Sequence, residues 1–279
     1  MIEIHHTSTI EATLAGAAFG ADPGRWPLPT ATTPRELWLR AVASGAQGRY
    51  GTAYRDLAEL RRSVSAGGLL SLAHSTEGSF LRQLGWHALA RGWDGRALAV
   101  AGADAEARGD ALIGLAADAL GVGRFAAAAA LLTRADQDLT PASVPDRLAV
   151  RRRWVAAELA MACGDGQVAV RHAEEAVERA QAVVINKAIN NTASARHRVK
   201  SEVVLAAALC SAGSTERARV VAEAALDDTG RLGLVPLRWA LACLLIDIGS
   251  VTFTAQEMHE IRDICAGQVR RAGGTWRCG

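Results

Sequence analysis

The fold of this chain is decided by stretches such as residues 79–101, SFLRQLGWHALARGWDGRALAVA. Leucine, alanine and arginine dominate it, and all three are good helix formers. A large apolar residue, Leu81, precedes Leu84-Gly85, and a second small residue, Ala97, follows twelve positions after the glycine. Two helices joined by a turn pack closely only where both present small side chains, and one helix plus a turn separates such residues by about twelve positions. The stretch therefore predicts a helical hairpin.

The same spacing recurs along the chain, in which 58 of 279 residues are alanine. Four more pairs of alanines are twelve residues apart, namely Ala41 and Ala53, Ala116 and Ala128, Ala157 and Ala169, and Ala206 and Ala218. In the last three pairs another alanine follows two helical turns later, at Ala135, Ala176 and Ala225. Paired small residues of this kind indicate helices that approach each other closely.

Turn-like glycines punctuate the helical pattern with a loose period of roughly 40 residues, which is typical of stacked helical hairpins. They are Gly48, Gly92, Gly123, Gly164, Gly213 and Gly249. β-branched residues do not alternate over any long run, so no strand is predicted. The pattern predicts an all-α protein with about five or six antiparallel helical hairpins.

These residues resemble the tetratricopeptide repeat (TPR), whose pattern has a large residue, Leu-Gly and a later alanine where Leu81, Leu84-Gly85 and Ala97 stand here. Two further segments fit the pattern, namely Leu112, Leu115-Ala116, Ala128, Leu132 and Ala135, and Leu205-Ala206, Ala218, Ala222 and Ala225. The resemblance implies a right-handed α-solenoid over about 35–230, with a terminal helix pair at 235–272. The period departs from the roughly 34 residues of the TPR, and the closing proline is absent from these hairpins. Inserted segments are expected at about 63–76, 139–147 and 183–195.

Residues 1–34 are predicted as an N-terminal leader, and residues 35–279 as a single TPR-like domain with terminal capping helices. The leader has a candidate helix at 8–19 and a partly extended stretch at 21–34, which holds four of the seven prolines. Thr33-Pro34 supplies an N-cap followed by an N1 proline, so the first helix of the domain is predicted to begin there.

Composition excludes several classes of function. The formal net charge is +2, so the chain has no strong field for nucleic acid or an anionic membrane surface. No apolar stretch approaches the ~20 residues that span a bilayer, and the first twenty residues lack the positive region of a signal peptide. A cytoplasmic protein with no nucleic-acid and no membrane partner is therefore predicted. Arginine outnumbers lysine 29 to 2, which indicates a bacterium with a GC-rich genome.

The sequence contains no recognisable catalytic constellation. It has no GxGxxG motif, no phosphate-binding GxxxxGKS/T motif and no GxSxG nucleophile motif. The five cysteines form no CxxC pair, and the histidines are not spaced with carboxylates or cysteines as metal ligands are. The sequence predicts no catalytic residue, no cofactor and no metal. A non-enzymatic role is favoured, although a helical chain can assemble a site that its sequence does not reveal.

In TPR-like proteins the first helix of each hairpin lines the concave surface, and the resemblance carries this over by register. The inward positions are Arg35, Trp38, Arg82, Trp86, Asp110, Ile113, Arg151, Trp154, Glu158 and Lys200. Tryptophan and arginine are the residues most enriched at binding hot spots. These side chains are therefore candidates for a groove that binds a peptide segment with apolar anchors and acidic groups. The alternative is that the tryptophans pack between neighbouring hairpins as core.

A second candidate is the most polar stretch of the chain, residues 186–200, NKAINNTASARHRVK. Asn190, Asn191, Arg196 and His197 have side chains suited to a peptide C-terminus or a phosphate. The alternative is a solvated connector followed by a basic helix start.

Two functions are consistent with these patterns. The first is a non-catalytic scaffold or adaptor, of a regulatory kind, that binds a protein or peptide partner on the concave face. The second is an all-α enzyme or small-ligand sensor with a pocket inside the curved array. An open groove with exposed tryptophan and arginine supports the first, and a pocket with converging polar groups supports the second. A homo-oligomer is compatible with both.

Overall fold

A computed structural model describes residues 9–138, 145–187 and 194–277, apart from the side chains of residues 183–187. These residues are all-α and form thirteen helices and no strand. The helices are α1 (Thr9–Phe19), α2 (Pro34–Ala46), α3 (Tyr50–Ser63), α4 (Gly68–Gln83), α5 (His87–Val100), α6 (Ala105–Gly121), α7 (Phe125–Asp138), α8 (Asp146–Ala162), α9 (Gly166–Lys187), α10 (Ala195–Ser211), α11 (Thr215–Arg231), α12 (Val235–Ile248) and α13 (Ala255–Arg271). Each helix packs against the next along the chain, which is consistent with a helical-repeat fold. Nowhere in the described ranges does a helix combine the length and apolarity needed to cross a bilayer.

Helix α2 begins where its sequence signal predicts. The Thr33 Oγ1 accepts a hydrogen bond from the backbone N–H of Glu36 at 3.2 Å, and Glu36 Oε2 accepts one from the backbone N–H of Thr33 at 3.1 Å. Pro34 occupies the first helical position, where a missing N–H removes no helical hydrogen bond. The helix expected at 8–19 is also present, and turns and extended backbone separate it from α2.

Five of the six expected turn glycines lie in connections between helices and have positive φ. They are Gly48, Gly123, Gly164, Gly213 and Gly249. The prediction for Gly92 is wrong, because this residue lies inside α5, and the turn before α5 contains Gly85 at φ 88°. Helix α5 continues through Gly92 because Ala90, Asp94 and Ala97 are buried along one face. Gly92 lies on the exposed side, where a Cβ added to it would meet no described atom within 4 Å.

The insertion expected at 63–76 is also wrong, because only residues 64–67 connect α3 to α4. Two polar residues of this range, Ser71 and Thr76, lie on α4 with their hydroxyls bonded. Ser71 Oγ donates to the carbonyl oxygen of Ala97 at 2.8 Å, and Thr76 Oγ1 donates to the carbonyl one turn earlier at 2.7 Å. Side-chain hydrogen bonds therefore let these residues enter a buried helix.

The other two expected insertions are only partly described. Residues 139–144 and 188–193 lie outside the described residues. What the structure does describe there is helical or flanks a helix: α8 begins at Asp146, α9 extends to Lys187 and α10 begins at Ala195.

The paired small residues lie where helices meet. The alanines of the twelve-residue pairs are buried, as are Ala135, Ala176 and Ala225 two turns later, and none is more than 1% exposed. A methyl group at each of these positions leaves room for the backbone of the neighbouring helix in a densely packed interior. The abundance of alanine is therefore in part a packing requirement.

The two ends of the helix series contact each other. The backbone N–H of Gly51, in α3, donates to the carbonyl oxygen of Ala272 at 2.7 Å. The backbone N–H of Arg277 donates to the carbonyl oxygen of Leu84 at 2.9 Å. Because the last residues contact α3 and the end of α4, the helix faces between them surround a common interior.

Candidate ligand-binding pocket

A cavity of about 300 Å³ lies in this interior. Its wall consists of side chains from α2, α4, α6, α8, α10 and α12, together with Phe19 at the end of α1 and His87 at the start of α5. Every second helix from α2 onward therefore presents one face to the cavity. Its volume is at the lower end of the range for small-molecule sites.

The lining has more cations than anions. Its cations are Arg82, Arg147, Arg151, Arg196 and Lys200, and its carboxylates are Asp110 and Glu158. Arg147 and Arg151 share Asp110, and Arg147 also pairs at 2.5 Å with Glu106, which does not line the cavity. In addition, Lys200 pairs with Glu158 at 3.5 Å. The surface that a bound molecule meets is therefore positive.

Arg196 is a cation of the lining with no carboxylate partner among the described residues. Its Nε is buried and makes no hydrogen bond, and its guanidinium carbon lies 5.9 Å from the ring centre of Phe19. Burial, and after it the charge of Arg147, lowers the pKa of Arg196 to about 10. Burial and the charge of Arg82 likewise lower the pKa of Arg151 to about 9. In both shifts burial is the larger cause and a neighbouring arginine adds to it, so like charges lie close together in this wall.

Buried polar atoms without a partner concentrate at the cavity. Within the described chain, four lining side chains have one, namely Ser75 Oγ, Arg82 Nη2, His87 Nδ1 and Arg196 Nε. Buried polar groups are nearly always hydrogen-bonded to protein, water or ligand. Burial, and then the charge of Arg82, lowers the pKa of His87, so its imidazole is neutral at pH 7 and can both donate and accept. Each of these atoms is buried behind the cavity surface and lacks a hydrogen-bond partner in the described chain.

Aromatic side chains form another part of the wall. The rings of Phe19 and Trp38 contact each other with centres 5.3 Å apart, and Trp154 stacks on His197 at 5.4 Å and 21°. The indole Nε1 of Trp154 donates to Ser201 Oγ at 2.8 Å, which fixes the orientation of its ring. Burial keeps the pKa of His197 well below its usual value, so the imidazole stacks as a neutral ring. The cavity thus combines a cationic part with an aromatic part.

Apart from Asp110 and Ile113, there are twelve candidate binding residues, and the structure brings eight of them to this one cavity. They come from both the groove set and the polar patch: Trp38, Arg82, Arg151, Trp154, Glu158, Lys200, Arg196 and His197. The inward positions Asp110 and Ile113 line it as well. The groove set and the polar patch, which the sequence treats as separate candidates, therefore share one site.

Two candidates lie away from the cavity. Arg35 pairs with Glu11 of α1 at 2.8 Å. Trp86 donates its Nε1 to the carbonyl oxygen of Thr275 at 2.7 Å, so it holds the C-terminal segment. The last two candidates, Asn190 and Asn191, lie outside the described residues.

Sequence reasoning missed Arg147 and Phe19. Arg147, Arg151, Trp154 and Glu158 follow the spacing i, i+4, i+7 and i+11, so they share one face of α8. The same spacing predicts that Arg147 lies on this face of α8. Phe19 reaches the cavity because the leader packs across α2, and no local pattern indicates such a contact.

No cluster of three histidine, cysteine or acidic side chains suited to a metal ion occurs in the parts of the chain that the structure describes. No protein-family model matches this sequence, and no curated protein matches it. Function therefore has to be argued from the cavity itself.

Proposed function

We propose that this protein binds a small organic anion in the cavity between its helices. The observation that carries the proposal is Arg196, a lining cation with a buried, unbonded Nε and no carboxylate partner in the described chain. A buried charge is costly unless another charge or hydrogen bonds compensate it. An anion bound beside Arg196, Arg147 and Arg151 supplies that compensation, and guanidinium groups bind carboxylate oxygens in pairs.

The rest of the wall indicates what the anion is attached to. Phe19, Trp38 and Trp154 offer aromatic faces, and Ser75 and His87 offer buried polar atoms without partners. An aromatic or other apolar body contacts the rings, while single polar groups on it bond to the serine and the histidine. The ligand is therefore a small amphipathic acid.

A small ligand is better supported than a peptide. Trp38 is only 3% exposed and donates its indole N–H to Thr76 Oγ1 at 3.0 Å. Trp86 is occupied by the C-terminal segment, and Arg35 by Glu11. Three side chains of the peptide-groove hypothesis thus have their polar groups engaged within the chain. This favours the small-ligand sensor over the protein-binding scaffold, and the proposed role involves binding without chemistry.

The finer description of the fold is part of the same proposal. A TPR-like, right-handed array of five or six hairpins is supported by the glycine turns and the buried alanine pairs. The inward face of every second helix then holds the ligand. A source in a bacterium with a GC-rich genome is supported by the excess of arginine over lysine.

The test is a binding experiment with benzoate, whose carboxylate and ring match the two parts of the wall. Benzamide and benzyl alcohol serve as neutral controls of similar size. Benzoate is expected to raise the melting temperature and to bind in titration calorimetry, whereas the neutral analogues do neither. Arg196→Gln is expected to weaken benzoate binding by about tenfold or more, because a charged hydrogen-bond partner is lost.

The matched control is Arg217→Gln. Arg217 pairs with Glu174 on the surface, its side chain is 65% exposed, and it does not line the cavity. This variant is expected to bind benzoate as the unmodified protein does. Equal binding of benzoate and benzamide, or unchanged benzoate binding by Arg196→Gln, contradicts the proposed function.

A further inference from the structure

Two buried carboxylates share one arginine directly behind the cavity wall. Asp94 of α5 and Asp118 of α6 have completely buried side chains, and both pair with the guanidinium of Arg82 from α4. Arg82 Nη1 donates to Asp118 Oδ1 at 2.9 Å and also to Asp94 Oδ2. The remaining oxygens, Asp94 Oδ1 and Asp118 Oδ2, are buried and accept no hydrogen bond from the described residues.

The neighbouring helices leave space for this arrangement. A Cβ atom on Gly78 of α4 would lie 2.6 Å from the Asp94 carboxylate, and one on Gly114 of α6 would lie 2.5 Å from it. Glycine at both positions therefore admits a carboxylate into a tightly packed contact between three helices. The packing of these helices therefore accommodates the Asp94–Asp118 pair.

The charges of this group do not balance when both acids are ionised. Two carboxylates against one guanidinium leave a net charge of −1 in a region removed from water, which is unfavourable. Both carboxylates contact the same nitrogen, Arg82 Nη1, so they lie near each other, and one proton on the pair removes the excess charge. Burial raises the pKa of Asp94 to about 7 and also raises the pKa of Asp118.

Arg82 connects this pair to the cavity. Arg82 lines the cavity, and its Nη2 has no hydrogen-bond partner among the described residues. Among the described residues, Arg91 of α5 acts electrostatically on Asp118 and Arg151 of α8 on Asp94, while His87 of α5 is close to Arg82. A ligand beside Arg82 therefore alters the electrostatic environment of both acids.

A count of charges indicates the charge of the ligand. Five cations line the cavity, and five carboxylates line it or pair with those cations: Asp94, Asp118, Glu106, Asp110 and Glu158. When the Asp94–Asp118 pair holds a proton, one positive charge is left over. That charge is neutralised by a ligand with a single negative charge.

We infer that the cavity takes up a singly charged organic acid anion together with one proton, which the Asp94–Asp118 pair holds. The inference rests on the proposed function, because it assumes that the cavity binds an anion. The proton comes from solvent, and no bond in the ligand is made or broken. A carboxylate is the ligand class that fits, and a doubly charged phosphate ester leaves an uncompensated negative charge.

The direction of the pH effect follows from linkage. A bound anion opposes ionisation of the pair, so binding raises the pKa of the pair and draws in a proton. Affinity therefore rises as pH falls through neutrality. Arg151 and Arg196 are already protonated below pH 8, since their pKa values are about 9 and about 10, so they contribute little to proton uptake there.

The test is calorimetric titration with benzoate in cationic buffers of different ionisation enthalpy, which reports the protons taken up. At pH 7 the unmodified protein is expected to take up about half a proton per benzoate, rising towards one at pH 8, and its affinity falls by up to about tenfold per pH unit above 7. Phenyl phosphate, a dianion at pH 8, is expected to bind at least about tenfold more weakly than benzoate.

Two variants isolate the pair. Asp94→Asn and Asp118→Asn each leave one carboxylate for Arg82, so both are expected to bind benzoate without proton uptake and with equal affinity at pH 6.5 and 8.5. Asp138→Asn is the matched control, since Asp138 pairs with Arg108 away from the cavity, and it is expected to retain the proton uptake of the unmodified protein. If one variant fails to fold, the other serves the same purpose.

The outcomes separate the two proposals. Benzoate binding without proton uptake in the unmodified protein overturns this inference and leaves the proposed function standing. Proton uptake that survives in Asp94→Asn and Asp118→Asn assigns the proton to another group, such as His87, and also overturns it. Absence of benzoate binding at every pH contradicts the proposed function, and the inference falls with it.

Discussion

The indole Nε1 of Trp38 donates a hydrogen bond to Thr76 Oγ1 at 3.0 Å, and this bond joins α2 to α4 in the wall of the cavity. Trp38 is 3% exposed and still lines the cavity. Trp38 is therefore a core residue and part of the cavity wall at the same time. The cavity is inside the core, so its shape depends on the bonds that hold the core together.

We expect Thr76→Val to lower the free energy of unfolding by about 1–3 kcal/mol, because the buried indole N–H loses its acceptor while the side-chain volume hardly changes. Thr133→Val is the matched control. Thr133 Oγ1 bonds the carbonyl one turn earlier, as Thr76 Oγ1 does, but it is exposed and receives no indole bond. Its cost is expected to stay below about 0.5 kcal/mol in urea unfolding. Equal costs for the two valines would show that the indole bond contributes nothing.

Gly85 and Gly92 provide a paired test of the turn before α5. Gly85 has φ 88°, which is unfavourable for any residue with a Cβ, so Gly85→Ala is expected to cost about 1–2 kcal/mol. Gly92 lies within α5, where an added Cβ would meet no described atom within 4 Å, so Gly92→Ala is expected to stabilise the protein by about 0.5–1 kcal/mol. Chemical denaturation of both variants measures the difference. If Gly85→Ala stabilised the protein, Gly85 would not adopt a positive φ in the turn before α5.

Ala128 and Ala130 test whether alanine is required by packing. Ala128 is completely buried in a twelve-residue pair, whereas Ala130 lies on the exposed side of the same helix. Ala128→Leu is expected to cost about 1–3 kcal/mol through overpacking against α6, and Ala130→Leu less than about 0.5 kcal/mol. Thermal and urea unfolding give both values. Tolerance of leucine at Ala128 contradicts a close approach of α6 and α7.

Features that depend on neighbouring residues can be predicted from the sequence. The start of α2 at Thr33-Pro34 and the buried alanines are of this kind, because capping and helix pairing act over one or two helical turns. The choice between Gly85 and Gly92 is different. It depends on the burial of Asp94 between α4 and α6, which is a tertiary property.

The residues around the cavity also include some that the sequence predicts and some that depend on tertiary contacts. The sequence predicts which residue types line the cavity and which helix face they lie on, since Arg151, Trp154 and Glu158 follow the helical period on α8. Two contacts cannot be predicted from the sequence: that of Phe19 with Trp38, and the hydrogen bond from Gly51 to Ala272 that brings the two ends of the helix series together. Both join segments that are distant in the chain. Whether an arginine of the cavity wall has a carboxylate partner depends on these contacts between distant segments.

The buried acid pair also makes stability depend on pH. The pKa of Asp94 is raised to about 7 in the folded protein, against about 3.9 for an unfolded chain. The folded state therefore binds more protons between roughly pH 4 and 7, and this contribution to stability is present at pH 4 and lost as pH rises to 7. We expect Asp94→Asn to gain stability relative to the unmodified protein over that range, with a plateau above it. Urea unfolding at pH 4.5, 6 and 8 measures the trend, and a gain that shrinks with rising pH contradicts a raised pKa.

Removal of the Arg196 charge from the cavity wall is expected to weaken ligand binding and to stabilise the ligand-free protein. The charge of Arg147 adds to burial in lowering the pKa of Arg196, and the charge of Arg196 does the same for Arg151. Arg147 and Arg151 also share Asp110, so the ligand-free protein bears the repulsion among these three arginines. We expect Arg196→Gln to raise the free energy of unfolding by about 1 kcal/mol without ligand, while its response to benzoate is lost. Because salt screens repulsion, the gain should shrink between low ionic strength and about 0.5 M NaCl. Arg217→Gln, exposed on the surface, is expected to change stability by less than about 0.5 kcal/mol at either salt concentration. A loss of stability in Arg196→Gln would mean that this arginine supports the fold, and the cavity would then have no reason to require an anion.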